Sequence, residues 1–503
     1  MDQAIHEPYR AYKPRPFLKE ERDETTILFG GLQRHAERFL QGAMENLGYK
    51  VEILPVATKE DLLTGREVAD IGQCCPTSFT TGNLANFLRN KAKVMGVEEV
   101  AKKYAYVTAG SCGACRFGQY HQSYELALRN TGMEKFRMFL MAQDVNQAEN
   151  EGGGLDLNPA FMMGAVWAVA AADVVQDLEY QIRPYEVNAG ETNRVIAECV
   201  QLVYEAFRDS TLKARGWDAL LWYLTTRRFT SVLKKVHAKL GAIEVDRLRV
   251  KPLVKITGEF YLQTVEGEPN YNMHSWLESE NAQVYPAATT IWLDYLLRLA
   301  DQDFEDHIGV KSGARIKSMT VKTMQGMVRR TYNQMRRALG HLPNEIPDQR
   351  IIRELAAPYF HSRMNGGEGD MLIGKSLWIH QKKKAHMICE LSPYSCMPNT
   401  MSIGAMASVL GKHPDLLYAP IEIKGDSEIH ALSRCQMILT EAKRRAQNEY
   451  EDALERTGLT TEKARALLDK YPEMKIATYR LPHGGVAGTA AKMVLHLAER
   501  AAQ

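Results

Sequence analysis

Apolar positions repeat with two periods along this chain, and the alternation between them predicts its architecture. A short apolar run, Thr26-Ile27-Leu28-Phe29, stops at Gly30-Gly31; from about His35 to Leu47, Ala36, Phe39, Leu40, Met44 and Leu47 fall on one helical face. Gly48 is placed to end that helix, and Tyr49 to Pro55 reads as a second strand. Strand, helix and strand predict a parallel pair with a right-handed crossover. Beyond Gly72-Gln73-Cys74-Cys75-Pro76-Thr77 comes a helical stretch from Gly82 to Leu88. Tyr104-Ala105-Tyr106-Val107 reads as a strand, Phe117 to Leu128 as a helix and Phe136 to Met141 as a strand. Residues 25–150 thus read as a doubly wound α/β lobe, with ligands expected beyond the carboxyl ends of its strands.

Residues 151–245 are helical in pattern almost throughout, and Trp167, Trp217, Trp222 and Tyr223 fall at positions expected in the core. A second α/β lobe spans residues 246–440. It opens with a strand from Leu253 to Glu259, a helix near Met273 to Glu280 and a strand from Ala282 to Pro286. Helices fill Ile291 to His380, broken at residues 365–370. A strand from Ala385 to Leu391 then leads into Ser395-Cys396-Met397-Pro398, a helix, and a strand from Leu416 to Ile421. The order echoes the first lobe, a repeat of pattern without sequence identity. Residues 1–24 read as a polar extension and 441–503 as a helical tail with some α/β character. The expected fold is α/β: two doubly wound, Rossmann-like parallel-sheet lobes with a substantial helical region.

Composition narrows the function. The chain has 503 residues, 45% apolar and 25% charged, and a net charge of +2. With no sustained basic run, there is no nucleic-acid footprint. The longest apolar run, Ala160 to Ala172, is too short to span a bilayer and reads as a core helix. The first residues carry no secretory pattern, so the expected location is the cytoplasm. Eight cysteines in such a chain read as thiols or ligands rather than disulfides. Cys199 and Cys435 sit in helical apolar patterns and read as core; Cys74, Cys75, Cys112, Cys115, Cys389 and Cys396 stand in or lead into Gly- or Pro-bearing turns.

Three of those turns, Cys74-Cys75-Pro76, Cys112-Gly113-Ala114-Cys115-Arg116 and Cys396-Met397-Pro398, read as strand-to-helix turns. Amides at such a turn stabilise negative charge and lower a thiol's pKa, which favours metal ligation. If the lobes face each other, the turns converge, and three or four thiolates can hold an iron–sulfur cluster whose charge Arg116 and the turn amides balance. Zinc is the alternative, although a structural zinc site usually pairs two Cys-x-x-Cys hooks and only one is present. Glu259, at a strand end, and Glu368, in Gly367-Glu368-Gly369, are candidate general acids; His361 and Lys375 flank that second loop, and His121 follows the Cys115 turn. His483-Gly484-Gly485-Val486-Ala487-Gly488-Thr489 lacks the Lys-Ser/Thr of a phosphate loop and reads as a tightly packed turn.

Taken in order, Gly72-Gln73-Cys74-Cys75-Pro76-Thr77 through Gly82, Cys115-Arg116-Phe117-Gly118-Gln119-Tyr120 and Cys396-Met397-Pro398 resemble the motifs of the 2-hydroxyacyl-CoA dehydratase and benzoyl-CoA reductase superfamily. They look most like the dehydratase-like region of the long 2-hydroxyglutaryl-CoA dehydratase activators, the CoA-substrate-specific enzyme activases. Pro252 to Glu259, with Asn270 and Asn272, resembles that region's Gly-Glu strand. The likeness covers roughly residues 25–440, with Gln73 standing where an acidic residue is expected. It implies a [4Fe-4S] cluster held by Cys75, Cys115 and Cys396, with Cys74 or Cys112 available as a fourth ligand. It also implies ATP-coupled, low-potential electron transfer to an acyl-CoA or similar substrate, in anaerobic metabolism. The chain shows no actin-like ATPase phosphate loop, so the ATP site is expected on a separate activator ATPase, with a second dehydratase-like subunit as a further partner. A non-catalytic electron-transfer or cluster-carrying subunit, or a structural zinc protein, remains the alternative.

Overall fold

The computed structural model describes residues 17–70, 72–110, 115–142, 153–209, 216–364 and 367–502. Two four-stranded sheets, all parallel, organise them. The first contains β1 (Thr26–Phe29), β2 (Lys50–Ile53), β3 (Tyr104–Gly110) and β4 (Arg137–Ala142) in the order β2-β1-β3-β4. The second contains β5 (Leu253–Gly258), β6 (Gln283–Tyr285), β7 (Met387–Pro393) and β8 (Tyr418–Ile423) in the order β6-β5-β7-β8. The two orders are the same, so the repeat of pattern is a repeat of topology. In each sheet the chain leaves the middle in opposite directions at the β1/β3 and β5/β7 pairs, the place where an open α/β sheet leaves a crevice beyond its strand ends.

The long apolar helix Pro159–Ile182 is a core element between the lobes: 78% of its most apolar window is buried inside the protein. Its buried acids are ties. Asp173 accepts from the amides of Thr289 (3.0 Å) and Thr290 (2.7 Å), Asp177 from Asn344 Nδ2 (2.9 Å), and Glu179 lies 2.8 Å from His35 Nε2 and pairs with Arg34 and Arg183. Trp167 and Tyr223 are buried as expected, but Trp217 is 80% exposed: it is the first residue of the helix Trp217–Thr225 and faces away from the core that Ala219 and Tyr223 reach.

Several helices were not read from the sequence, Lys59–Val68, Val97–Lys103 and Phe260–Thr264 among them, and the first matters most for the site. Lys59–Val68, opened by a Thr58/Asp61 capping box, packs against Cys75–Met95. The turn carrying Cys74, Cys75 and Pro76 therefore joins two helices and does not follow a strand, as the sequence pattern suggested. These helices touch through glycine. A Cβ on Gly82 would stand 1.7 Å from the Asp61 carbonyl oxygen, and one on Gly65 would stand 1.9 Å from that of Ser78. Asn83 and Asn86 donate to the Asp61 carboxylate at 3.1 and 2.8 Å across the same contact. Gly82→Ala is expected to push the helices apart at a cost of about 1–3 kcal/mol or more, outweighing alanine's helix propensity advantage of about 1 kcal/mol. Urea unfolding checks it, and a variant as stable as the parent chain would contradict the packing.

Candidate functional site

Cys74, Cys115 and Cys396 occupy the same position in three different turns. Each is the residue capping the amino end of the next helix: Cys75–Met95, the 3₁₀ turn Arg116–Gln119, and Met397–Lys412. In each case an amide of the first turn (Thr77, Phe117 or Asn399) approaches the sulfur without closing a hydrogen bond, and favours its thiolate. Cys115 follows β3 and Cys396 follows β7, equivalent strands of the two lobes. Cys74 caps the helix Cys75–Met95, which the short helix Val97–Lys103 joins to β3, and the residue in the nearest comparable place in the second lobe is Glu368, which precedes the helix Gly369–Gln381 leading into β7.

These residues share one electrostatic neighbourhood. The thiols of Cys115 and Cys396 are both raised first by burial, and then by the charges of Glu259, Glu368 and Cys74. Cys115 is pushed up to about 12, and Cys396 further. Cys74 is likewise raised by burial, against the hydrogen bonds at 3.2 Å that its sulfur makes with Thr77 Oγ1 and Tyr120 OH. The sequence pattern predicted lowered thiol pKa values at these turns. Without a cation, desolvation outweighs the helix amides, and the thiols stay protonated at neutral pH.

Cys75 faces elsewhere. Its side chain packs with Leu62, Phe79 and Tyr261 in the core of the second lobe. Burial pushes it up to about 12, with Arg66 as its first charged neighbour, ahead of Cys74, Asp426 and Glu259. Cys112 lies outside the described residues. Arg116 donates to the carbonyl of Gly72 and so ties the Cys115 turn to the Cys74 turn. Cys389 and Cys435 are buried in the same apolar cluster of the second lobe, and Cys199 is core.

Both carboxyls singled out in the sequence stand at this site. Glu259 caps the helix Phe260–Thr264, accepting from the amides of Tyr261 and Leu262 at 3.0 Å each. Glu368 accepts from the amide of Phe260 at 2.9 Å. Burial raises both, and the Glu259 charge raises Glu368 further. Two bonded amides favour the ionised form of Glu259, so Glu368 is the partner that carries a proton. Behind them Lys375, lowered to about 8 by burial against Glu368 and Glu390, lies 3.4 Å from Gln263 Oε1. Glu390, raised to about 7 by burial, accepts from Tyr418 OH at 2.7 Å and from Asn399 Nδ2 at 3.2 Å. Asn399 Oδ1 in turn lies 3.5 Å from Cys396 Sγ. Glu390 was missed in the sequence, although a glutamate inside the apolar strand Met387-Ile388-Cys389-Glu390-Leu391 was visible there.

His361 is exposed, its Nδ1 accepting from the Arg363 amide in a local turn. His121 lies on the helix Tyr120–Asn130 with Nδ1 enclosed and without a hydrogen-bond partner among the described residues.

Other amide-rich turns of the fold are already filled by the chain's own carboxylates. Glu37 accepts from the amides beyond β1, including Leu32 at 2.9 Å; Asp173 takes those of Thr289 and Thr290 beyond β6. Glu449 takes Ala487 (2.9 Å) and Gly488 (2.6 Å) in the tail's glycine turn. After β3 and β7 the residues at the start of the next helical element are Cys115 and Cys396 instead.

A cavity of about 920 Å³ opens between the lobes, lined by Gly31, Thr80, Asn83, Tyr106, Tyr261 and the Arg34–Glu179–Arg183 ion cluster; neither the three cysteines nor Glu259 and Glu368 line it. Thr80 and Asn83 lie on the helix that Cys74 caps. Among the described residues no group of three or more His, Cys, Asp or Glu side chains is arranged to hold a single metal ion. No protein-family model matches the sequence, and no curated protein matches it either.

Proposed function

We propose that this chain is an iron–sulfur protein of the 2-hydroxyacyl-CoA dehydratase type, with a [4Fe-4S] cluster bound between its lobes by Cys74, Cys115 and Cys396. One observation supports the reading: three helix-capping cysteines, from both lobes, share Glu259 as a charged neighbour, and Cys115 and Cys396 share Glu368 as well. A cluster spreads its thiolate ligands over separate irons, so it suits sulfurs arranged around a shared space rather than around one ion, and its irons would stabilise the thiolates that burial now disfavours. When bound, the cluster supplies single electrons at low potential and a Lewis-acidic iron. The chain supplies the rest. The helix amides at the three turns stabilise anionic sulfur, Arg116 fixes two of the turns together, Glu368 holds a proton beside the site, and the 920 Å³ cavity gives a substrate room on the Cys74 helix. ATP-coupled electron transfer to an acyl-CoA or similar substrate in the cytoplasm, driven by a separate actin-like activator ATPase and shared with a second dehydratase-like subunit, is the role that the motif resemblance adds.

The test is anaerobic purification with iron, sulfide and zinc analysis, which is expected to return about four irons and four sulfides per chain. A colourless protein filled with zinc would overturn the proposal. EPR of the reduced protein separates enzyme from carrier: a signal that changes with acyl-CoA marks a substrate site, whereas an unchanged signal, with no turnover when an activator is supplied, assigns the chain to electron carriage alone.

A further inference from the structure

A second cavity, of about 600 Å³, lies at the other end of the second sheet. It is bordered by Leu253 at the start of β5 and Lys384 just before β7, whereas Cys396 follows the far end of β7. A seven-residue strand separates the two places by roughly 20 Å. Its remaining walls come from the helix Pro159–Ile182, from residues 341–345 and from the tail around residues 477–492.

The charge of its lining is one-sided. Arg247, Arg336, Lys384, Arg480 and Lys492 face one carboxylate, Glu345. Lys384 takes that carboxylate at 3.1 Å. Arg247 spends its donors on the carbonyls of Met474, Ile476 and Ala477, Arg336 on that of Pro343, and Lys492 on that of Ala487. These acceptors are neutral, so Glu345 and, behind Lys492, Glu449 are the carboxylates that offset five positive charges, and Arg480 makes no ion pair among the described residues. His341 and His483 at the rim report the same field: both are lowered by burial first and by neighbouring cations next, Arg336 and Arg480 for His341, Lys492 and Lys384 for His483. Lys492 is itself lowered to about 8, by burial and by Lys384 against the pull of Glu449. Five clustered cations cost stability through mutual repulsion and return it only when an anion binds. Deeper in, Leu178, Ile182, Val284 and Leu342 give an apolar floor, with Gln181 and Asn344 among them. A volume of 600 Å³ with an apolar floor and convergent polar groups is the size and make-up of a small-molecule site.

We propose that this cavity binds a phosphorylated small molecule of nucleotide size, with two or more phosphoryl groups held by Arg480, Lys492, Arg336 and Lys384 and its uncharged part on the apolar floor. The tail's glycine turn is not the phosphate holder, because Glu449 occupies its amides; the side chains are. The site is independent of the cysteines, so it stands or falls apart from the cluster.

Isothermal titration of the full chain with ADP, pyrophosphate, AMP and adenosine tests it. ADP is expected to bind at one saturable site, more tightly than pyrophosphate or AMP, with affinity falling as salt is raised, and adenosine to bind least. Arg480→Glu, at an exposed position, and Lys492→Met are each expected to weaken ADP by about tenfold or more, with the melting temperature checked in the same samples. No saturable binding of ADP or pyrophosphate, equal binding of ADP and adenosine, or ADP affinity unchanged in a folded Arg480→Glu protein would each overturn the proposal.

Discussion

Cys74→Ser is expected to lose most of its iron on anaerobic reconstitution, while Cys75→Ser retains nearly all of it. The motif resemblance assigns the ligand to Cys75, and the two residues are adjacent, so the comparison is a sharp one. The geometry favours Cys74 on three grounds. It caps its helix as Cys115 and Cys396 cap theirs. It appears among the charged neighbours of both of those thiols. Its sulfur is held at 3.2 Å by Thr77 and by Tyr120, the last residue of the Cys115-to-Tyr120 motif. Both residues are buried in apolar clusters, Cys74 with Leu84 and Tyr120 and Cys75 with Leu62, Phe79 and Tyr261, but the Cys75 cluster holds neither Cys115 nor Cys396, and serine there is expected to lose a small apolar contact and leave the site intact. Cys115→Ser and Cys396→Ser are expected to behave as Cys74→Ser does, and Cys199→Ser as the parent chain. Iron, sulfide and the visible charge-transfer absorption are the readouts. Full iron in Cys74→Ser together with an iron-free Cys75→Ser would return the ligand to Cys75.

How far the sequence reached can be followed along the second lobe. The strands from Leu253 and Ala385 were readable because parallel strands buried on both faces make continuous apolar runs, and the repeated order of elements foretold the repeated sheet order. Cys115, Cys396, Glu259 and Glu368 were visible as strand ends or loop residues. The Cys74 turn was placed wrongly because the helix before it is weakly patterned: in Lys59–Val68 only Leu62, Leu63 and Val68 are large and apolar, and Gly65 reads as a breaker. Gly65 is there because a neighbouring helix backbone passes over it, a long-range cause that leaves no local periodicity. The thiol pKa directions failed for a related reason. A helix amino terminus can be read from a turn motif, but the desolvation that opposes it depends on how the second lobe covers the first. Trp217 shows the limit of pattern in the other direction, since an apolar residue at a helix start has no fixed face until the packing is known.

The Glu368 turn rests on a buried ion pair, and the largest loss of stability is expected from breaking it. Arg298 and Asp370 meet through two parallel hydrogen bonds of 2.7 Å, with side-chain exposures of only 7% and 2%. Tyr295 packs its ring 4.9 Å from the same guanidinium and donates its hydroxyl to the Gly367 carbonyl at 3.0 Å. Asp370 sits two residues from Glu368, in the first turn of the helix Gly369–Gln381, so its carboxylate locks that helix start against the helix Thr289–Asp306. Asp370→Ala strands the guanidinium among apolar neighbours, and a broken buried pair costs about 3–5 kcal/mol. The paired replacement Arg298→Met with Asp370→Leu removes the stranded charge and is expected to recover much of that loss, because the attraction within a buried pair roughly offsets its desolvation. Urea unfolding followed by the intrinsic fluorescence of Trp292 and Trp378, which flank this region, provides the measurement. A single replacement costing under about 1 kcal/mol, the range of an exposed pair, would show that water reaches the pair and that the turn holding Glu368 is fixed by other contacts.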